Sequence, residues 1–340
     1  MCGIFGLIVG DNVQLTPKEL MNIVNQMFKL SESRGKEASG IALRFKESIY
    51  VLKEPVTSSI LVKTSKYKNL FNQTLKNEGY NDLGIKAPIL ILGHSRLQTN
   101  GQSEINTNNQ PVVKDGAIGI HNGIIVNDEK LWKSFSTIDK KYDVDTEVFL
   151  SLLQMFRAQG KSMVDAVRLV FEQIEGSASV AVQFDDTNTL LLASNTGSLY
   201  MALSQNDKIL VFASEKYILQ QVLDNKFLRS IFIGQSIMQV KAGQGQIIDL
   251  NLSKKYVFSL NEHSDDIINS SPIESKAKIF ELYDKQINSL PDPSQYFLRE
   301  DIKQSMMQNW EDLYSSETVL KRCSRCLLPE TMPYISFDHK

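Results

Sequence analysis

From residue 2 to about 250 the chain is written in short apolar runs broken by glycine, with longer amphipathic stretches between them. Gly3 to Val9 is apolar throughout, which fits a strand covered on both faces, because such strands lose the alternation of polar and apolar positions. Thr16-Pro17-Lys18-Glu19 then marks a helix start: threonine as N-cap, proline at the first helical position and glutamate three residues on to close a capping box. Leu20, Ile23, Val24, Met27 and Phe28 follow at helical spacing and predict a helix to about Leu30. Ile41 to Phe45 and Ser48 to Lys53 come in quick succession and predict a hairpin in an antiparallel sheet. Residues 57–83 read as polar, helical or irregular, with no identifiable chemistry.

Further strands are expected at Pro88 to Leu92 and Ala117 to Ile120. Helical patterns at Thr146 to Arg157 and Met163 to Gln173 precede strands at Ala178 to Phe184, Thr189 to Ala193, Leu199 to Leu203 and Ile209 to Ala213. Ser214-Glu215-Lys216 opens a short helix, and strands at Ser236 to Lys241 and Gln246 to Leu250 complete the set. A β-rich second half packed on the first sheet, with helices outside, is a four-layer α+β arrangement. After Leu250 the composition changes, and the polar, acidic stretch Glu262 to Ser275 reads as a linker. The expected division is a domain over residues 2–250 and a linker with a helical connector over 251–320.

Composition narrows the class rather than the fold. A length of 340 residues suggests about two domains. With 42% hydrophobic residues, 22% charged residues and a net charge of −2, the chain offers no electrostatic reason to bind nucleic acid or an anionic membrane. No stretch approaches the ~18 consecutive apolar residues of a membrane span, and the N-terminus lacks the features of a signal peptide, so a cytoplasmic protein is expected. The three cysteines, Cys2, Cys323 and Cys326, do not make a disulfide framework.

Four stretches carry candidate chemistry. Once the initiator methionine is removed, Cys2 bears a free α-amino group with a pKa of about 7.7–8.0, a base tied covalently beside a thiol nucleophile. On position alone Cys2 reads as an ordinary small apolar residue at the start of a strand. Gly93-His94-Ser95-Arg96-Leu97-Gln98-Thr99-Asn100-Gly101 puts an arginine at the end of a core strand, where it is either a fork for a carboxylate or one half of a surface ion pair. His94, between glycine and serine, reads as a structural histidine. In His121-Asn122-Gly123-Ile124 the asparagine amide and the glycine N–H are suitable donors for a developing oxyanion, although Asn-Gly also marks hairpin turns. Asp143-Val144-Asp145-Thr146-Glu147 opens a helix, with Asp145 as its cap or first-turn acid and as a candidate acceptor for a ligand ammonium.

In order and spacing, Cys2-Gly3-Ile4, Arg34-Gly35 to Gly40-Ile41, Gly93-His94-Ser95-Arg96 to Thr99 and Gly101, and His121-Asn122-Gly123-Ile124 followed by Asp143 to Glu147 resemble the class II glutamine amidotransferase family. The likeness covers roughly residues 2–250 and is closest to the glutaminase half of glucosamine-6-phosphate synthase, more distant to asparagine synthetase and amidophosphoribosyltransferase. It implies a four-layer αββα sandwich of two antiparallel sheets, the N-terminal-nucleophile hydrolase fold. It also implies that Cys2 attacks the glutamine carboxamide to form a γ-glutamyl thioester, with its own amine as base and then acid. Asn122 and the Gly123 N–H match the oxyanion hole, Arg96 the clamp on the α-carboxylate, Asp145 the acceptor for the α-ammonium and Thr99 a substrate-contacting position. Arg34 and Gly101 match structural positions near the site. A zwitterion held at both charged ends, with its amide carbon presented to a thiolate, is a sound arrangement for the reaction. The sequence departs from the glucosamine-6-phosphate synthase loop at Leu97, Gln98 and Asn100.

Pro291 to Ile302 resembles the segment joining the two halves of that synthase, whereas Lys321-Arg322-Cys323-Ser324-Arg325-Cys326-Leu327-Leu328-Pro329 resembles the opening of the N-acetyl sugar amidotransferases of surface-polysaccharide assembly. Residues 321–340 are therefore expected to begin a second, ATP-dependent domain that is mostly absent, as in a truncated product. Cys323 and Cys326 would supply half of a zinc knuckle, and two thiolates alone do not close a tetrahedral site. The glutaminase domain itself calls for no cofactor; ATP and zinc belong to the second domain. The expected partners are L-glutamine and a synthase domain that receives ammonia, with a homodimer left open. The competing expectations are a half of a glucosamine-6-phosphate synthase-type or asparagine synthetase-type enzyme, a non-catalytic glutamine sensor, and a hydrolase of some other amide.

Overall fold

Seven consecutive apolar residues give β1 (Gly3–Val9), every one of them buried. The computed structural model describes residues 2–78, 80, 84, 85, 87–262 and 275–285, all within the first of two compact units, 1–286 and 287–340. After β1 comes α1 (Pro17–Ser31), opened by the expected capping box: the Thr16 hydroxyl accepts from the Glu19 N–H at 3.3 Å and the Glu19 carboxylate accepts from the Thr16 N–H at 2.8 Å. Such a cap is worth about 1 kcal/mol. β2 (Ala38–Arg44) and β3 (Ser48–Glu54) form the hairpin, followed by the short helices α2 (Ser58–Leu61), α3 (Ser65–Asn69) and α4 (Leu75–Asn77). Then come β4 (Ile89–Arg96), β5 (Val112–Lys114), β6 (Ala117–Ile125), α5 (Asp128–Ser134), α6 (Asp145–Ala158) and α7 (Met163–Gln173). The remainder is β7 (Gly176–Phe184), β8 (Thr189–Ser194), β9 (Tyr200–Leu203), β10 (Ile209–Ala213), α8 (Lys216–Leu223), β11 (Met238–Gln239), β12 (Gln244–Asp249), β13 (Lys255–Ser259) and β14 (Lys278–Glu281).

The strands form two sheets, one ordered β11-β9-β10-β1-β4-β2-β3-β14 and the other β13-β12-β8-β7-β6-β5. Along β4 the division of labour is plain: Ile89 and Ile91 pack toward α1, while Leu90 and Leu92 face the second sheet. With apolar cover on both sides the strand has no polar face to show, which is why the run in the sequence lacks alternation. Phe149, Leu153 and Val167 of α6 and α7 cover the outer face of the second sheet, and Ile118, Ile120, Leu190 and Leu192 meet Ile4, Ile8 and Leu92 between the sheets. Helix, sheet, sheet and helix are thus stacked in four layers around three apolar seams, the αββα sandwich that the resemblance implies.

The differences from the sequence reading lie at element ends. β4 runs four residues beyond Leu92 and β6 five beyond Ile120, so both strands carry their polar motifs into the sheet rather than ending before them. Within 57–78 the role is structural: Tyr67, Leu70, Phe71 and Leu75 are buried against α1 and the first sheet. β11 is only two residues long and exposed, an edge element shorter than the predicted Ser236 to Lys241. The expected domain end at 250 is too early, since β13 pairs with β12 and β14 pairs in parallel with β3. Buried Phe258, Leu260, Ala277 and Tyr283 anchor these strands, and their polar neighbours outweigh them in a composition count. Residues 263–274 of the predicted linker, Pro291 to Ile302, and the segment with Cys323 and Cys326 lie outside the described residues.

Candidate active site

β1 and β4 are antiparallel neighbours with Gly3 opposite Ser95, so Cys2, one residue earlier, stands beside Arg96. Cys2 is buried, and its thiol donates to the Leu97 carbonyl at 3.3 Å. Burial pushes the thiol above its ordinary range; the Leu97 contact and the Arg96 charge pull the other way, and Asp145 adds to the rise. The sulfur left to itself is therefore a thiol at neutral pH, which makes a local base necessary for attack.

Arg96, also buried, spends three of its five N–H donors among the described residues: Nη1 to Asn109 Oδ1 at 2.5 Å, and Nη2 to the carbonyls of Asn100 and Gly101 at 2.5 and 2.6 Å. Nε and the second Nη1 hydrogen have no bond among the described residues, an arrangement that could take a carboxylate. Burial lowers the guanidinium below its usual range, opposed by Cys2, Glu37 and Asp145. Gly101, at φ +71°, needs to be glycine: a Cβ there would lie 2.3 Å from the Asp143 carbonyl. It thereby brings the loop after β4 against the segment leading into α6.

The second sheet contributes Asn122 and Gly123, near the end of β6. Asn122 is buried and its Oδ1 has no hydrogen-bond partner among the described residues. Most buried amide oxygens are paired; this one is an acceptor, so any bond to a developing oxyanion would have to come from Nδ2. Gly123 takes φ +152°, and a Cβ on it would sit 1.9 Å from the Ser177 carbonyl. The pair is thus part of a regular strand with one irregular residue, not a hairpin turn.

Asp145 is the first residue of α6, but Val144 is the cap position and the Asp145 side chain does no capping. Its Oδ2 accepts the Ile125 N–H at 2.9 Å and its Oδ1 lies 3.7 Å from His121 Nδ1, which leaves Oδ1 able to accept from a ligand. Burial pushes this carboxyl up, but His121 and the N–H groups of Ile125 and Thr146 outweigh it and hold the group below the usual carboxylate range. A buried anion facing Cys2 and Arg96 is a natural seat for an ammonium.

Arg34 pairs with Glu215 at the head of α8, and Gly3 admits the Ser31 carbonyl and the Arg34 side chain, a Cβ being only 2.8 and 3.2 Å from them. The pair fastens the end of α1 to the start of α8, which pack together over the first sheet. Thr99 is exposed in the loop after β4, apart from the buried cluster. Cys2, Arg96 and Asp145 lie within electrostatic reach of one another, and Asp145 is bonded to the strand that carries Asn122 and Gly123.

Three contributors escaped the sequence reading: His121 beside Asp145, Asn109 on Arg96, and Gln110, whose side chain accepts the His121 N–H at 2.6 Å. The amide run Asn108-Asn109-Gln110 before Pro111 was the available signal, for such a run just ahead of a core strand is costly to bury without a task.

A family profile described as a glutamine amidotransferase domain matches residues 94–221. The glutamine–fructose-6-phosphate aminotransferase (isomerizing) of Halalkalibacterium halodurans is 28% identical over 227 residues, covering 66% of this chain and 34% of that protein. Its counterpart in Bacillus spizizenii is 30% identical over 226 residues, covering 65% and 33%. The chain thus spans about a third of the length of these curated relatives. Among solved structures, glutamine phosphoribosylpyrophosphate amidotransferase from B. subtilis, complexed with ADP and GMP, superposes with a TM-score of 0.52 at 19% identity over 78% of this chain and 50% of that one. A structure of the allosteric regulatory enzyme of purine biosynthesis gives 0.55 at 17% identity over 77% and 50%. At these identities the two structures speak for the fold. Residues 94–221 thus match a glutamine amidotransferase domain, in a chain similar over about two thirds of its length to part of the glutamine–fructose-6-phosphate aminotransferases.

Proposed function

We propose that this domain hydrolyses L-glutamine to glutamate and ammonia through a thioester on Cys2, and that the ammonia passes to a synthase domain acting on a sugar. With Met1 removed, the α-amine takes the thiol proton as Sγ attacks the carboxamide carbon, and the Asn122 amide and Gly123 N–H receive the negative oxygen. The amine then gives its proton to the leaving nitrogen, the C–N bond breaks and ammonia departs. Water attacks the thioester, its proton returning by way of the amine to sulfur as glutamate leaves. Arg96 and Asp145 hold the α-carboxylate and α-ammonium throughout.

One observation carries this reading: a buried sulfur beside a guanidinium with donors to spare and a buried carboxylate with an open oxygen. These two charges match the ends of a free amino acid, which favours glutamine over other amides. The sugar acceptor and a role in surface-polysaccharide assembly rest on the likeness of Lys321 to Pro329 to the N-acetyl sugar amidotransferases, with ATP and zinc needed only by that second domain. The test is intact mass after exposure to the glutamine analogue 6-diazo-5-oxonorleucine. Protein lacking Met1 is expected to gain one adduct at Cys2, and Cys2→Ala to gain none and release no glutamate while melting normally. Undiminished glutamine hydrolysis by Cys2→Ala refutes the reading.

A further inference from the structure

Lys53 is a cation in the wrong place for a surface lysine. It stands on β3 opposite Gly40, on the face that Ile49 and Val51 turn toward the second sheet, and it is almost wholly buried. Its ammonium donates to the Asn109 carbonyl at 2.9 Å. Asn109 is itself fully buried; its Oδ1 takes Arg96 Nη1 and its Nδ2 donates to the Ser103 carbonyl at 2.6 Å. The next residue, Gln110, holds the N–H of His121 on the other sheet. Gly40 allows this segment to lie directly on the first sheet, since a Cβ there would come within 2.1 Å of the Gln110 carbonyl. One buried ammonium thus anchors the peptide that orients the carboxylate clamp.

What covers that ammonium is the far end of the described chain. β14 runs along β3 with Glu281 opposite Val51, and the Leu282 N–H bonds the Val51 carbonyl at 2.8 Å. Tyr283 then lays its ring over Lys53 Nζ at 4.1 Å from the centroid, while its hydroxyl donates to Glu281, which also accepts from Lys285 at 2.7 Å. Burial draws Lys53 down to about 7, Glu281 opposing this and Arg96 and Lys285 adding to it; His94 faces it as a neutral ring. A ring face and a nearby carboxylate are what a desolvated ammonium requires.

We propose that Lys53 is a positioning residue for glutamine, holding Arg96 through Asn109, and that β14 with Tyr283 keeps it in place, so that glutamine affinity depends on the seating of that strand on β3. This rests on Arg96 being the carboxylate clamp. The test uses the full chain lacking Met1 and compares Lys53→Met, Tyr283→Leu and Tyr283→Phe for glutamine turnover. It also measures their inhibition by 4-aminobutanamide, which is glutamine without its α-carboxylate. Lys53→Met is expected to raise KM for glutamine about tenfold, the loss of one charge-assisted contact's worth of order, with kcat within about twofold. Tyr283→Leu raises KM several-fold, Tyr283→Phe restores the wild-type KM, and inhibition by 4-aminobutanamide stays the same in all three. Tyr283 sits beyond an edge strand, so its variants decide the matter if Lys53→Met does not fold. An unchanged KM in folded Tyr283→Leu, or an equal weakening of 4-aminobutanamide, overturns the inference. A wild-type chain with no glutaminase activity instead overturns the proposed function on which it stands.

Discussion

Asn122, whose amide oxygen has no partner among the described residues, separates catalysis from stability. If its nitrogen serves the oxyanion, Asn122→Ala removes one donor, worth about 2.7–4 kcal/mol of transition-state stabilisation, and kcat falls about 10²–10³-fold. Stability responds differently because Oδ1 has no partner to lose. Removing a buried unsatisfied acceptor returns about 1–3 kcal/mol. The side chain beyond Cβ occupies roughly 25 Å³, and at ~24 cal/mol per Å³ the space it leaves costs about 0.6 kcal/mol before lost contacts are added. At the low end of the first range the terms differ by only about 0.4 kcal/mol before lost contacts are counted, so Tm is expected to move by less than about 4 °C, given about 2–4 °C per kcal/mol for a domain of this size. The assay pairs steady-state glutamate release with thermal melting of the same preparation. A fall in Tm beyond about 8 °C together with a modest loss of kcat would make Asn122 a structural residue, and an unchanged kcat would remove it from the oxyanion hole.

Two further predictions concern the nucleophile and the base of α6. Because burial raises the Cys2 thiol, alkylation by 6-diazo-5-oxonorleucine should follow the α-amine: the rate climbs with pH as the amine loses its proton, through about 8, and then levels. A rate still climbing beyond about pH 9, read by mass spectrometry over a pH series, would mean that the thiol ionises without the amine. Lys114 and Glu147 form a buried pair at 3.0 Å, and Lys114 also holds the Asp139 carbonyl, so the pair fixes the loop that leads into Asp145. Lys114→Met leaves a buried carboxylate without its cation and should cost about 3–5 kcal/mol; the double variant with Glu147→Met should recover much of it, as a two-by-two set of melts would show.

The sequence announced those parts of the fold whose cause is local. The cap at Thr16 and the helix from Met163 depend on residues within one turn, and both lie where the pattern puts them. β4 and β6 are longer than their apolar runs because the pairing of Gly3 with Ser95 and of Asn122 with Ser179 is a tertiary contact that a polar motif does not signal. β14 was hidden for the same reason: only β3, over 220 residues earlier, gives Lys278–Glu281 a partner. In the proposed site, Cys2, Arg96, Asn122 and Asp145 are the residues that the motifs name. Asn109, Gln110 and Lys53 are not among them, because their importance lies in whom they touch across the sheets.

That last group explains how a site split between two sheets stays in register. Cys2 and Arg96 belong to the first sheet, Asn122, Gly123 and Asp145 to the second sheet and its helix. Between the sheets lies a seam of Ile4, Leu92, Ile120 and Leu192, which resists compression but has no directional preference of its own. Direction comes from the Asn109–Gln110 segment, one side chain bonded to Arg96 and the next to the backbone beside Asn122. A misplacement of ~1 Å between nucleophile and oxyanion donors costs about 10²-fold in rate. Apolar packing sets the spacing of the two sheets, and two consecutive amides set their lateral alignment. The proposed glutamine site therefore depends on residues outside the set proposed to do the chemistry.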